Sequence, residues 1–347
     1  MSTSTPTSSP VLSFLMPTRV TGWVRALAWA SMLANALLIV TGGAVRLTGS
    51  GLGCPTWPRC TDESWTNTPE MGIHGVIEFG NRLLTFLLII IALLTFLAVV
   101  RLYARHPLFW KLALAIGIGI ILQAVIGGIT VRTGLNPWVV GIHFVVSATL
   151  IAIASVLVNR VRRVSIERVA VAERAGQFTG PSRRGVRMLG VVLGVAGFLA
   201  IYLGTLVTGT GPHSGDAGEV VRHTFDPYII TRVHVVPVYV LVAASALGVA
   251  AAFWLRWPAA LRRIFVVLAV LVAAQAVIGY YQFFNGVPIL AVGLHMAGAA
   301  ALAAVITMTV EKLYALSADP GQGPSSTAST SRTTASASSA PNMTGSL

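Results

Sequence analysis

Charge is what this chain has least of. Only 10% of its 347 residues are Asp, Glu, Lys or Arg, and only 11 are acidic, beside 55% apolar residues. Soluble globular domains carry roughly a quarter charged residues, so this balance excludes one. Cysteine is nearly missing as well, with two in the whole chain, which excludes a disulfide-dense scaffold and a four-thiolate zinc site. No segment alternates strictly between apolar and polar over about ten residues, which excludes a transmembrane β-barrel. What the chain does have is eight unbroken apolar runs, near 22–45, 76–100, 110–131, 138–159, 186–208, 229–253, 264–283 and 289–310. Each can cross roughly 30 Å of hydrocarbon as a helix of about 20 residues. The chain is therefore predicted to be an all-α, multi-pass integral membrane protein with eight transmembrane helices.

The little charge present is unevenly placed. The net charge is +13, and 18 of the 24 basic residues fall on one side of the eight spans. Arg160, Arg162, Arg163, Arg168, Arg174, Arg183, Arg184 and Arg187 crowd the loop between spans four and five. The positive-inside rule puts that loop and both termini in the cytoplasm. The excess charge is read as orientation and contact with anionic membrane lipid, not as a nucleic-acid surface. The first apolar run continues to Val45, past what a signal peptide needs, so it is expected to be retained. Residues 1–21 and 313–347, poor in large apolar residues, are expected to be disordered cytoplasmic tails.

The membrane region repeats itself. Gln123-Ala-Val-Ile-Gly127, followed by Val140-Gly-Ile-His143, returns 152 positions later as Gln275-Ala-Val-Ile-Gly279 and Val292-Gly-Leu-His295. Such a repeat predicts two pseudosymmetric four-helix bundles, 22–160 and 186–312, joined by an Arg-rich cytoplasmic linker at 161–185.

With the amino terminus inside, the loops 46–75, 132–137, 209–228 and 284–288 face outward. Cys54 and Cys60 share the first of them, in Cys54-Pro-Thr-Trp-Pro-Arg-Cys60. An oxidising compartment and a short loop favour a disulfide, either a structural staple or a redox-active pair. His143, His234 and His295 stand within about two turns of the outer ends of spans four, six and eight. A single such residue reads as a hydrogen-bonded core histidine. Three at one depth, two of them related by the repeat, read as axial ligands of buried haem. Span two carries His74, Glu78, Asn81 and Arg82 on one face. A Glu78–Arg82 pair sealing the helix end is the plain reading, and a carboxylate kept in the outer leaflet for proton chemistry is the other.

These features together resemble the haem A synthase family, over roughly 22–310. The specific pieces are Gly42-Gly-Ala-Val-Arg-Leu-Thr-Gly-Ser-Gly51 leading into the two-cysteine loop, Glu78-Phe-Gly-Asn81-Arg82, and the three span histidines. The resemblance implies oxidation of the C8 methyl of haem O to the formyl group of haem A, for terminal oxidases. It implies haem b as cofactor on His234 and His295, substrate haem at His143, and Glu78 as the catalytic carboxylate. Haem O synthase as the source of substrate and an unidentified electron donor are the partners it suggests, with homo-oligomerisation left open. Many members read Glu-x-x-His-Arg where this chain has Asn81. An amide is a poor iron ligand, and His74 lies roughly 10 Å along the helix from Asn81. A five-coordinate substrate haem on His143 is expected, with Asn81, Glu78 and Arg82 around its open face. His74 would serve the propionates or a proton path. A non-catalytic bis-histidine b-type cytochrome is the competing reading, and would need neither Glu78 nor the cysteines. A transporter and a quinone-linked thiol enzyme fit less well, lacking prominent mid-depth helix breaks and a second cysteine pair.

Overall fold

The computed structural model describes residues 10–170, 183–213, 215, 216, 218 and 220–317, with 165–170 as backbone alone. Its helices are α1 (Pro10–Leu15), α2 (Gly22–Leu47), α3 (Gly72–Val100), α4 (Pro107–Arg132), α5 (Pro137–Ala170), α6 (Arg183–Thr210), α7 (Pro227–Trp254), α8 (Ala259–Phe284) and α9 (Ile289–Ser317). Eight of them, α2 to α9, are long and apolar enough to cross a membrane. Their outward side chains, Leu37, Ile90, Ile121, Val195 and Val270 among them, are exposed, which suits a lipid-facing surface.

Local chemistry sets where the helices begin and end. Pro107, Pro137 and Pro227 open α4, α5 and α7, where a missing N–H costs nothing. The Asp226 carboxylate accepts from the N–H groups of Tyr228 and Ile229 at 2.9 Å, capping α7. The turns that end α4 and α8 are the same turn made twice. Gly134 and Leu135 have φ of 58° and 60°, and Gly286 and Val287 have 68° and 59°. The Leu135 N–H donates to Thr130 O and the Val287 N–H to Gln282 O, each at 2.9 Å. A side chain in that left-handed region costs about 1–2 kcal/mol. The two turns stand at positions 152 residues apart, the spacing of the sequence repeat.

Each half closes into the same ring of neighbours: α2, α3, α4 and α5 in one, α6, α7, α8 and α9 in the other. The rings meet along α2, α5, α6 and α9. Asn159 donates to Met308 O at 3.1 Å across that seam, and Arg160 pairs with Glu311 at 2.8 Å. Every spanning helix is divided along its length. Toward the Arg-rich end the interior is packed, by Val24, Ala28, Val99, Ile116 and Leu157 in one half and Leu193, Phe265, Leu268 and Leu313 in the other. Toward the end that carries the cysteines the helices surround a cavity of about 790 Å³.

Three boundaries differ from expectation. The tail 1–21, expected to be disordered, contains α1, where Phe14 stacks on Trp23 at 5.1 Å and so gains an apolar partner. The linker 161–185 is partly helix, because α5 continues to Ala170 and α6 begins at Arg183. The tail 313–347 begins inside α9, since Leu313 is fully buried and Arg187 Nε donates to Ser317 Oγ at 3.3 Å. The remainder of those three segments, 1–9, 171–182 and 318–347, lies outside the described residues.

Candidate functional site

The cavity walls come from both rings. His143 on α5, His234 on α7 and His295 on α9 all line it, together with Glu78, Asn81 and Arg82 of α3 and the repeat-related Gln123 and Gln275. Nδ1 of each of the three imidazoles is sealed from solvent and has no hydrogen-bond partner. The repeat reappears at side-chain level: Gly127 stands opposite His143 Cε1 as Gly279 stands opposite His295 Cε1, so each ring edge rests against bare helix backbone. Gln123 Nε2 donates to His143 O at 2.9 Å and to Ser147 Oγ, tying α4 to the helix that carries the imidazole.

Cys54 and Cys60 are joined in a disulfide, both wholly buried, with Cα atoms 4.5 Å apart. Their loop hangs on Glu78 and Arg82. The Cys54 N–H donates to Glu78 Oε2 at 2.5 Å, and Arg82 Nε and Nη2 donate to Glu78 Oε1. Arg82 also reaches Cys54 O at 3.0 Å, Thr56 O at 3.0 Å and Arg59 O at 3.2 Å. All five of its N–H donors are thereby used. The loop in turn lowers Trp57 and Pro58 onto the cavity. Trp57 packs so closely on α4 that a Cβ at Gly128 would overlap its indole, and Arg132 Nη2 donates to Trp57 O at 3.0 Å. A second segment at the disulfide end closes the other side: the Gly51 N–H donates to Gly215 O at 2.7 Å beside a Ser50–Asp216 bridge.

Cys54 and Cys60 do not line the cavity, and of the other residues singled out by sequence His74 alone does not. Its Nδ1 is 2.9 Å from Ser50 Oγ at the rim, one turn outward of Glu78. Asn81 does line it, with a sealed Oδ1 that has no partner. Sequence reasoning missed Arg46, Trp57, Met296 and His223. Arg46 lies in the glycine-rich motif that was quoted, but its inward turn depends on α6. His223 is buried between Trp138 and Phe225, at ring-centroid distances of 4.4 and 5.4 Å. Burial, and then the charge of Arg46, hold its imidazole below its ordinary pKa.

A bare metal ion needs three or more protein ligands, and among the described residues no such cluster of His, Cys, Asp or Glu occurs. Haem brings its own four equatorial nitrogens and needs only one or two protein ligands, and imidazoles in a largely apolar cavity wall are of the kind that can supply them.

The family described as cytochrome oxidase assembly protein (COX15-CtaA) matches residues 25–307. The chain belongs to that family. A haem A synthase of Bacillus pumilus is 34% identical over 138 residues, which are 39% of this chain and 43% of that protein. One from Caulobacter is 28% identical over 320 residues, 78% of this chain and 90% of that protein. A protohaem IX farnesyltransferase of Thermus thermophilus is 35% identical over 91 residues, 26% of this chain and 15% of that protein. The chain spans about half the length of the Bacillus and Geobacillus relatives it matches, 43% and 50%.

Proposed function

We propose that this chain is a haem A synthase, oxidising the C8 methyl of haem O to a formyl group. The observation that carries this reading is the single cavity into which both rings send their histidines, with Glu78 in the same wall. In this reading His234 and His295 hold haem b in the second ring, and His143 holds the substrate in the first. Haem supplies the redox chemistry when bound, and the chain supplies ligation, orientation and exclusion of water. Asn81, whose Oδ1 is sealed and has no partner, would stand beside the substrate in the same wall. Glu78 accepts or returns protons at that edge, and Trp57 covers it. The disulfide end of the molecule would be extracytoplasmic, opposite the Arg-rich loop. A haem O synthase acting upstream fits the chemistry of the substrate.

The competing reading is an electron-carrying b-type cytochrome. It has in its favour that Glu78 and Arg82 are already fully engaged in holding the loop. Expressing the chain in cells that make haem O and lack haem A separates the two. Acid-acetone extracts should then contain haem A or its hydroxylated precursor. Haem b and unconverted haem O alone, with the protein inserted and spectrally intact, would leave the cytochrome.

A further inference from the structure

Two guanidinium groups line the cavity, and they are in opposite states. Arg82 has every donor committed to Glu78 and to the carbonyls of the disulfide loop. Among the described residues, Arg46 makes one hydrogen bond, from Nη2 to Thr208 O at 2.9 Å, and its Nε is sealed from solvent without a partner. Among the described residues, the carboxylates within ion-pair distance of an arginine are Glu78 and Glu311, and neither belongs to Arg46. A guanidinium keeps its proton, so enclosing it unpaired is costly. The last turn of a helix favours a cation, but that effect is satisfied by an arginine turned outward and does not explain one turned in.

Its position narrows what it would meet. Thr208 is one turn beyond Gly204 on α6, and Gly204 faces the His234 ring. The Arg46 guanidinium thus stands roughly 6 Å outward of the imidazole, toward the disulfide end. A porphyrin ligated at His234, standing edge-on in the bundle, would present its propionates at that height. The planar fork of arginine matches a carboxylate in two parallel hydrogen bonds. Arg82 cannot take that role without dismantling the loop it holds.

We propose that Arg46 binds a propionate carboxylate of the porphyrin held at the level of His234, fixing which edge of the macrocycle faces outward. This rests on the haem reading above and adds to it a specific acid-binding residue. The test is an optical titration of the purified full chain, freed of haem, with ferric protohaem and with its dimethyl ester, following the low-spin spectrum. Wild-type protein should bind the free acid about tenfold or more tightly than the ester, as expected for a charge-assisted hydrogen bond. Arg46→Gln still has an amide to donate to Thr208 O. It should give the same low-spin spectrum with both ligands and lose the preference. Arg46→Lys, which keeps the charge and loses the fork, should retain part of it. Equal affinities for acid and ester in wild type overturn the proposal, and that measurement needs no variant to fold. A preference that survives in Arg46→Gln overturns it equally. If wild type binds neither compound, the haem reading fails along with it, and that outcome is distinct from either of the others.

Discussion

Glu78 and Arg82 form one device, and two glutamine substitutions distinguish its parts. Glu78 uses both oxygens: Oε2 takes the Cys54 N–H, and Oε1 takes Arg82. Glutamine has one oxygen and one donor, so in either orientation its NH₂ must face another donor. Glu78→Gln should therefore loosen the loop by about 1–3 kcal/mol, the cost of one unmade buried hydrogen bond. Arg82→Gln is harsher structurally. It strips Cys54, Thr56 and Arg59 of their donors and leaves a carboxylate that is only 7% exposed without its cation. That costs about 3–5 kcal/mol. At about 1.4 kcal/mol per factor of ten, amide exchange in 54–60 should quicken by about five- to 150-fold in Glu78→Gln and by about 150-fold or more in Arg82→Gln. If Glu78 moves protons, haem A output follows the opposite order, with Glu78→Gln the more damaged variant. Exchange mass spectrometry of the loop and haem extraction from the same membranes give both rankings. Output that falls in step with loop exchange, lowest in Arg82→Gln, would refute proton transfer and leave Glu78 as a loop anchor.

Three further outcomes are expected. His234→Ala and His295→Ala should each abolish the low-spin b-type spectrum while the protein still inserts; a normal spectrum in the double variant contradicts the axial assignment. Cys54 and Cys60 should resist thiol labelling in membranes until a reductant is added, and full labelling without one would count against the disulfide. His223 is neutral when packed between Trp138 and Phe225, because burial, and secondarily Arg46, depress its pKa from 6.5. Above pH 6.5 the outer segment keeps its full stability. Below it the opened segment takes up the proton more readily, so amide exchange in 220–226 should quicken between pH 6.5 and 5.5 and His223→Phe should not show this. Exchange that is flat with pH in wild type, after correction for intrinsic rates, removes His223 from the account.

The eight spans, their order and the duplication could be read from the chain, because membrane length, hydropathy and repetition are properties of local sequence. So could the three histidines, since an imidazole in an apolar helix stands out against its own neighbours. The helix ends were less legible: α9 continues to Ser317, where Arg187 Nε donates to Ser317 Oγ, and that contact joins positions far apart in the chain. Glu78 and Arg82 could be paired from their spacing, yet nothing in that spacing indicates that both also grip Cys54, 24 and 28 positions away. Arg46 and Arg82 look alike in sequence, each at the outer end of an apolar run. Only the fold makes one a spent clamp and leaves the other without a carboxylate partner among the described residues, because the number of free donors depends on which carbonyls and carboxylates the other helices bring within reach.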